Sequence, residues 1–114
     1  MNSHNNKVQL IGNIGQAPEI RTLDNGNKVA RMSLATSERR KDATGGFITE
    51  TTWHNIVIWG KQVEVIEKYV SKGKELLVEG KIVNRSYLDK NNDKRYITEI
   101  HVQSFKLLGS KEPD

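Results

Sequence analysis

The segment Thr51 to Trp59, TTWHNIVIW, constrains the fold more than any other stretch of this chain. β-Branched and aromatic side chains fit a pleated, half-buried surface, and Gly60 ends the run, so the segment reads as a strand. Side chains alternate with a period of two, which puts Trp53, Asn55, Val57 and Trp59 on one face and His54, Ile56 and Ile58 on the other. The second set is the natural core face. The first set then carries two tryptophans outward, roughly 20 Å apart at about 3.3 Å per residue.

The rest of the chain arranges itself around that strand. Val8 to Ile14 reads as a first strand, with Gly12 and Gly15 marking a bulge or sharp bend. Gln16 to Glu19 turns at Pro18, and Asp24-Asn25-Gly26-Asn27 is a second turn. Val29 to Thr36 is a second strand, and Ser37 to Gly46 reads as a charged loop. Lys61 to Lys72 is the only convincing helix: Val63, Ile66 and Val70 fall at i, i+3 and i+7, and Gly73 is placed to end it. Glu75 to Tyr87 and Arg95 to Leu108 are two further strands around the polar tip DKNNDK. Three strands, one helix and two strands predict an all-β domain, a five-stranded OB-fold barrel with its helix between strands 3 and 4. The expected division is a flexible N-terminus over 1–6, the barrel over 7–108 and a short C-terminal tail over 109–114.

At 114 residues the chain has room for one domain. Lysine and arginine number 18 against 14 acidic residues, a net charge of +4 that tilts toward a polyanionic partner. Cysteine is absent, which excludes disulfides, thiolate metal sites and cysteine nucleophiles. His4, His54 and His101 lack metal-ligand spacing, and no Walker-type glycine loop or nucleophile elbow occurs. The expectation is a protein that is not an enzyme and uses no cofactor and no metal. No apolar run approaches the ~20 residues of a membrane helix, and the start MNSHNNKVQL lacks the regions of a signal peptide, so a cytoplasmic location is expected.

Outward rings beside basic residues make a stacking platform for unpaired bases. Trp53, Trp59 and Tyr87 are the candidate rings; the competing reading packs the tryptophans into the core or under a loop. Tyr87 ends the fourth strand beside Arg85, next to the polar hairpin tip. Arg39, Arg40 and Lys41 form the densest basic run. The candidate phosphate contacts are Arg21, Arg31, Arg39, Arg40, Lys41, Lys61, Lys72, Lys81, Arg85 and Arg95.

These residues lie within segments that resemble a known family. KVQLIGNIGQAPEIR, NGNKVARMSLATSE, TTWHNIVIWGK, YVSKGKELLVEGKI and DKRYITEI are similar, in order, to the bacterial single-stranded DNA-binding proteins. The resemblance runs from about Asn6 to Leu108. It implies sequence-independent binding of single-stranded DNA during replication, recombination and repair, with base stacking on Trp53, Trp59 and Tyr87. Trp59 stands where the family often has phenylalanine, and Tyr87 where it often has tryptophan. The family's aromatic after ATSE has no counterpart, and Arg39 or Arg40 falls in its place. The resemblance further implies a homotetramer, with Val8, Leu10 and His54 at subunit contacts, and association with the nucleoid. Cellular members carry a linker and an acidic tip that recruit replication and repair proteins; such partners are compatible with the resemblance, but this sequence ends at GSKEPD without that tip, so recruitment through a tail is not implied. The alternative within the same fold is a module that docks on a replication protein, like the family's primosomal relatives, and RNA is a further ligand that stacking alone would accept.

Overall fold

A computed structural model describes residues 4–109. The elements are β1 (Val8–Ile14), β2 (Glu19–Thr22), β3 (Lys28–Lys41), β4 (Phe47–Trp59), α1 (Gln62–Tyr69), β5 (Glu75–Leu88) and β6 (Lys94–Leu107). Along the sheet they run β1-β5-β6-β4-β3-β2, and β1 also pairs with β3, which closes β1, β5, β6, β4 and β3 into a five-stranded barrel. This is the expected OB arrangement. The helix follows the third barrel strand; it stands between β4 and β5 because the short strand β2 pairs with β3 outside the closed wall.

Closure depends on a close backbone approach. Asn13 and Ile14 of β1 pair with Ala35 and Leu34 of β3, and a Cβ on Gly12 would collide with the Ala35 carbonyl. Gly12 therefore serves as a gap for β3. The bulge expected at this strand lies instead in β5, between Glu79 and Gly80.

The interior is aliphatic. Ile14, Leu34, Ile56, Ile58, Leu76 and Val78 are buried there, with Ile100 and Val102 from β6. Val63 and Ile66 of α1 join them, so the apolar stripe of the helix docks on the barrel. The helix is shorter than its periodicity predicts. Val70 is extended and buries its side chain in the core, while its N–H still bonds to the Ile66 carbonyl.

Of the segment Ser37 to Gly46, expected as a loop, the first half is strand: β3 runs on to Lys41, and only Asp42 to Gly46 form the turn. Cross-strand pairing continues from Val29↔Trp59 out to Lys41↔Phe47, a ladder that local charge density does not reveal. Both long hairpins close in the same way. The Asp42 carboxylate accepts bonds from the N–H groups of Thr44 and Gly46, and Asp89 accepts from those of Asn91 and Asp93. Asp42 also accepts from the Thr44 hydroxyl and Asp89 from Arg95, and these bonds lower both carboxyl pKa values. At the N-terminal side, the Asn6 amide exchanges two bonds with the backbone of Ile82, both at 2.9 Å.

Candidate nucleic-acid interface

The outer wall of the barrel collects the residues that alternate away from the core. Across β4 these are Phe47, Trp53, Asn55 and Trp59; beside them on β3 lie Lys41, Arg39, Arg31 and Val29. On the other side β6 contributes Glu99 and His101, which pair with Asn55 and Val57. β5 adds Lys81, Arg85 and Tyr87, paired with His101, Ile97 and Arg95.

Trp53 is 59% exposed and Trp59 39%, as the alternation predicts. The Trp53 ring lies over Gly15: a Cβ there would meet the ring itself, 2.8 Å from one of its carbons. One side of the ring is thus supported by backbone while the rest stays open to solvent. Trp59 meets the His101 ring edge-on, with centroids 4.6 Å apart and planes at 74°. Tyr87 is 45% exposed, in register with Arg95 at the end of the β5–β6 hairpin.

Val57 departs from the expectation. It shares the parity of the tryptophans but is buried. Its register neighbours, Arg31 and His101, are both bonded to Glu99.

Glu99 is 1% exposed and is the one buried charged residue among those described. Arg31 donates to it at 2.7 Å, and Arg85 donates through Nε and Nη2, both at 3.0 Å. His101 Nε2 lies 3.1 Å away; a carboxylate only accepts, so this nitrogen carries the proton. Burial pushes the Glu99 carboxyl up, but the hydrogen bonds from Arg85, His101 and Arg31 outweigh it and hold the pKa at about 2. The Arg85 guanidinium is raised in turn, chiefly by its hydrogen bonds to Glu99.

The predicted basic residues divide into groups. Arg31, Lys81 and Arg85 sit among the rings. Arg39 and Lys41 take the same face near the β3–β4 tip. Arg40 points its row to the other face and pairs with Glu50 at 2.7 Å. Arg95 neighbours Tyr87 but is held by Asp89 at 2.8 Å. Arg21 lies on β2, in the row of Val29 and Trp59 at the sheet margin. Lys61 and Lys72 flank α1 and do not join the rings.

Sequence reasoning missed Phe47, Glu99 and His101. Phe47 is 60% exposed, and the Arg39 guanidinium lies 4.5 Å from its ring centroid. Its signal was present: Phe47, Trp53 and Trp59 recur at intervals of six on β4, all on one parity. Glu99 and His101 had no such signal.

The residues named for subunit contacts lie together. Val8, Leu10 and His54, with Ile82, Tyr96 and Ile100, line a cavity of about 420 Å³ between the two hairpins. Val8 and Leu10 are half-buried against the core, and the His54 ring is 2.9 Å from the Thr36 hydroxyl. Among the described residues no helix is long and apolar enough to cross a membrane.

Comparisons with known proteins converge on one family. A family model described as the single-strand binding protein family matches residues 5–108. The single-stranded DNA-binding protein of Bacteroides thetaiotaomicron is 48% identical over 108 residues, which cover 93% of this chain and 67% of that protein. Single-stranded DNA-binding protein 1 of Chlorobaculum tepidum is 43% identical over 108 residues, covering 94% of this chain and 67% of its own length. A solved Plasmodium falciparum SSB in complex with ssDNA superposes with a TM-score of 0.84 at 36% identity, covering 96% of this chain and 100% of that one. Barrel, aromatic wall and these relationships together show that the chain belongs to the single-strand binding protein family.

Proposed function

We propose that this protein binds single-stranded DNA without reading its sequence, in support of replication, recombination and repair, and catalyses no reaction. The observation that carries the reading is the outer wall: Trp53, Trp59 and Tyr87 exposed on one side of the barrel, interleaved with Arg31, Lys81 and Arg85. Every base has a π-face, so stacking is tolerant of sequence and contributes about 1–3 kcal/mol per base, a magnitude general to OB-fold single-strand binders. The β3–β4 tip extends the row, with Phe47 as a fourth ring and Arg39 and Lys41 for the phosphates. Of the other basic residues, Arg21 and Arg95 sit at the margins of this surface. Arg40, Lys61 and Lys72 are peripheral to it.

The active form is proposed to be a homotetramer located in the cytoplasm with the nucleoid. Its support is the first strand: β1 pairs with β5 along Val8–Asn13 but meets β3 only at Asn13 and Ile14. Among the described residues the remaining edge has no partner strand, so it can pair with a second β1, next to the cavity lined by Val8, Leu10 and His54. Sedimentation at micromolar concentration should give a particle about four times the 13.0 kDa chain; a monomer would remove this part of the proposal.

Titration with dT oligonucleotides, followed by tryptophan fluorescence, tests the binding reading. Stacking should quench the emission of Trp53 and Trp59. An unchanged spectrum with no retained DNA would refute it.

A further inference from the structure

Base stacking and phosphate pairing leave one group of the outer wall without a role. Glu99 places a negative charge on the face proposed to meet a polyanion, and it is almost completely buried there. Its donors come from three strands: Arg31 from β3, Arg85 from β5 and His101 from β6. The two arginine side chains remain 43% and 40% exposed, although both are anchored. Arg31 spends only Nη1 on Glu99, and Arg85 keeps Nη1 free, so each still has donors for a ligand. His101, held at the same carboxylate, stands against the Trp59 ring.

We infer that Glu99 is a positioning residue for single-strand binding: it fixes Arg31 and Arg85 over the outer wall and, through His101, sets the Trp59 ring. The inference rests on the binding function proposed above. An arginine already held in place loses less rotamer freedom when it meets a phosphate than one that swings free. The same holds for a ring braced on one edge. Glu99 also spans the weakest seam of this wall, since the parallel pairing of β4 with β6 has three register pairs, Asn55↔Glu99 to Val57↔His101. If Glu99 acted only as a charge, its removal would strengthen binding by making the wall more positive. Positioning predicts the opposite sign.

Glu99→Gln removes the charge and keeps the shape. It is measured by fluorescence titration with a long dT oligonucleotide, at a temperature where melting curves show each protein folded. It should bind roughly tenfold more weakly than the parent, comparable to the loss of one stacked base. Glu99→Asp keeps the charge and shortens the reach, and it should weaken binding in the same direction; if Glu99→Gln does not fold, this variant decides alone. In a Trp53→Phe background Trp59 is the only tryptophan. There, replacing Glu99 should shift the emission of the DNA-free protein, because His101 no longer braces the ring. Binding equal to or tighter than the parent, or an unshifted Trp59 emission, overturns the positioning role. If the parent itself fails to bind dT, the proposed function falls and this inference with it.

Discussion

The two sides of the barrel wall are built on opposite principles, though they are made from the same strands. The interior holds Ile14, Leu34, Ile56, Ile58, Leu76 and Val78, and its attraction is non-directional packing. The outer side holds half-exposed rings around a buried carboxylate whose bonds are directional. Strand β4 serves both: Ile56 and Ile58 are fully buried on one face, while Trp53 and Trp59 are open on the other. The difference teaches that stability and ligand binding are separable along one strand, residue by alternate residue. Glu99 is where the separation is incomplete, because it belongs to the outer wall and is as buried as the core.

The largest effect should come from the interior. Ile58→Ala leaves a cavity and should cost about 2–5 kcal/mol of folding stability, measured by denaturant unfolding. Oligonucleotide affinity should be unchanged wherever the variant is folded. Loss of affinity in a folded Ile58→Ala protein would break the comparison.

Glu99 should show its mixed character in acid. Its folded pKa of about 2 lies below the ordinary 4.5, so its contribution is complete above about pH 5 and is lost as pH falls toward 2. The size of the shift corresponds to about 3 kcal/mol. Thermal melting of the wild type should therefore fall more steeply than that of Glu99→Gln between pH 5 and pH 2. Parallel melting curves would mean that the buried carboxylate adds nothing to stability.

The exposed rings should behave in the reverse sense from Ile58. Trp59→Ala should weaken dT binding by about 1–3 kcal/mol per base no longer stacked, with the melting temperature nearly unchanged. Phe47→Ala, at the end of the row, should give the low end of that range, about 1 kcal/mol. Early melting with normal binding would assign either ring to structure instead.

The smallest effect concerns salt. Replacing Arg39 and Lys41 together by Ala should reduce the slope of log K against log salt by about 0.7 for each phosphate no longer neutralised. Arg40→Ala should leave the slope nearly unaltered, since Arg40 is engaged with Glu50 in the opposite row. Equal effects of the two changes would mean that the hairpin tip reorients when DNA binds.

Much of the molecule is legible in the sequence because it is local. Alternation in TTWHNIVIW separates the core residues Ile56 and Ile58 from the exposed Trp53 and Trp59 without any tertiary information. Helix periodicity likewise locates Val63 and Ile66 on the buried stripe. The end of β3, Ser37 to Lys41, reads wrongly as loop because the run ERRKDATGG is charged and glycine-rich, a composition shared by loops and by solvent-exposed hairpins. Only pairing with the partner strand makes it extended, and that pairing is not written in either strand alone. The strand β2 escapes for a related reason: Glu19–Thr22 is four residues long and gains its identity from β3.

The sequence by itself determined the barrel, the helix that docks on it, and the alternation of β4 between its two faces. A period of two and a period of 3.6 are properties of the chain, and burial of an apolar face enforces them. Only the tertiary structure decided that Glu99 and Val57 are buried. The donors to Glu99 lie 68, 14 and 2 residues away in sequence, on three different strands. A carboxylate becomes tolerable in a dry site when such donors converge on it, and convergence across strands is fixed by register and closure, which no single segment encodes.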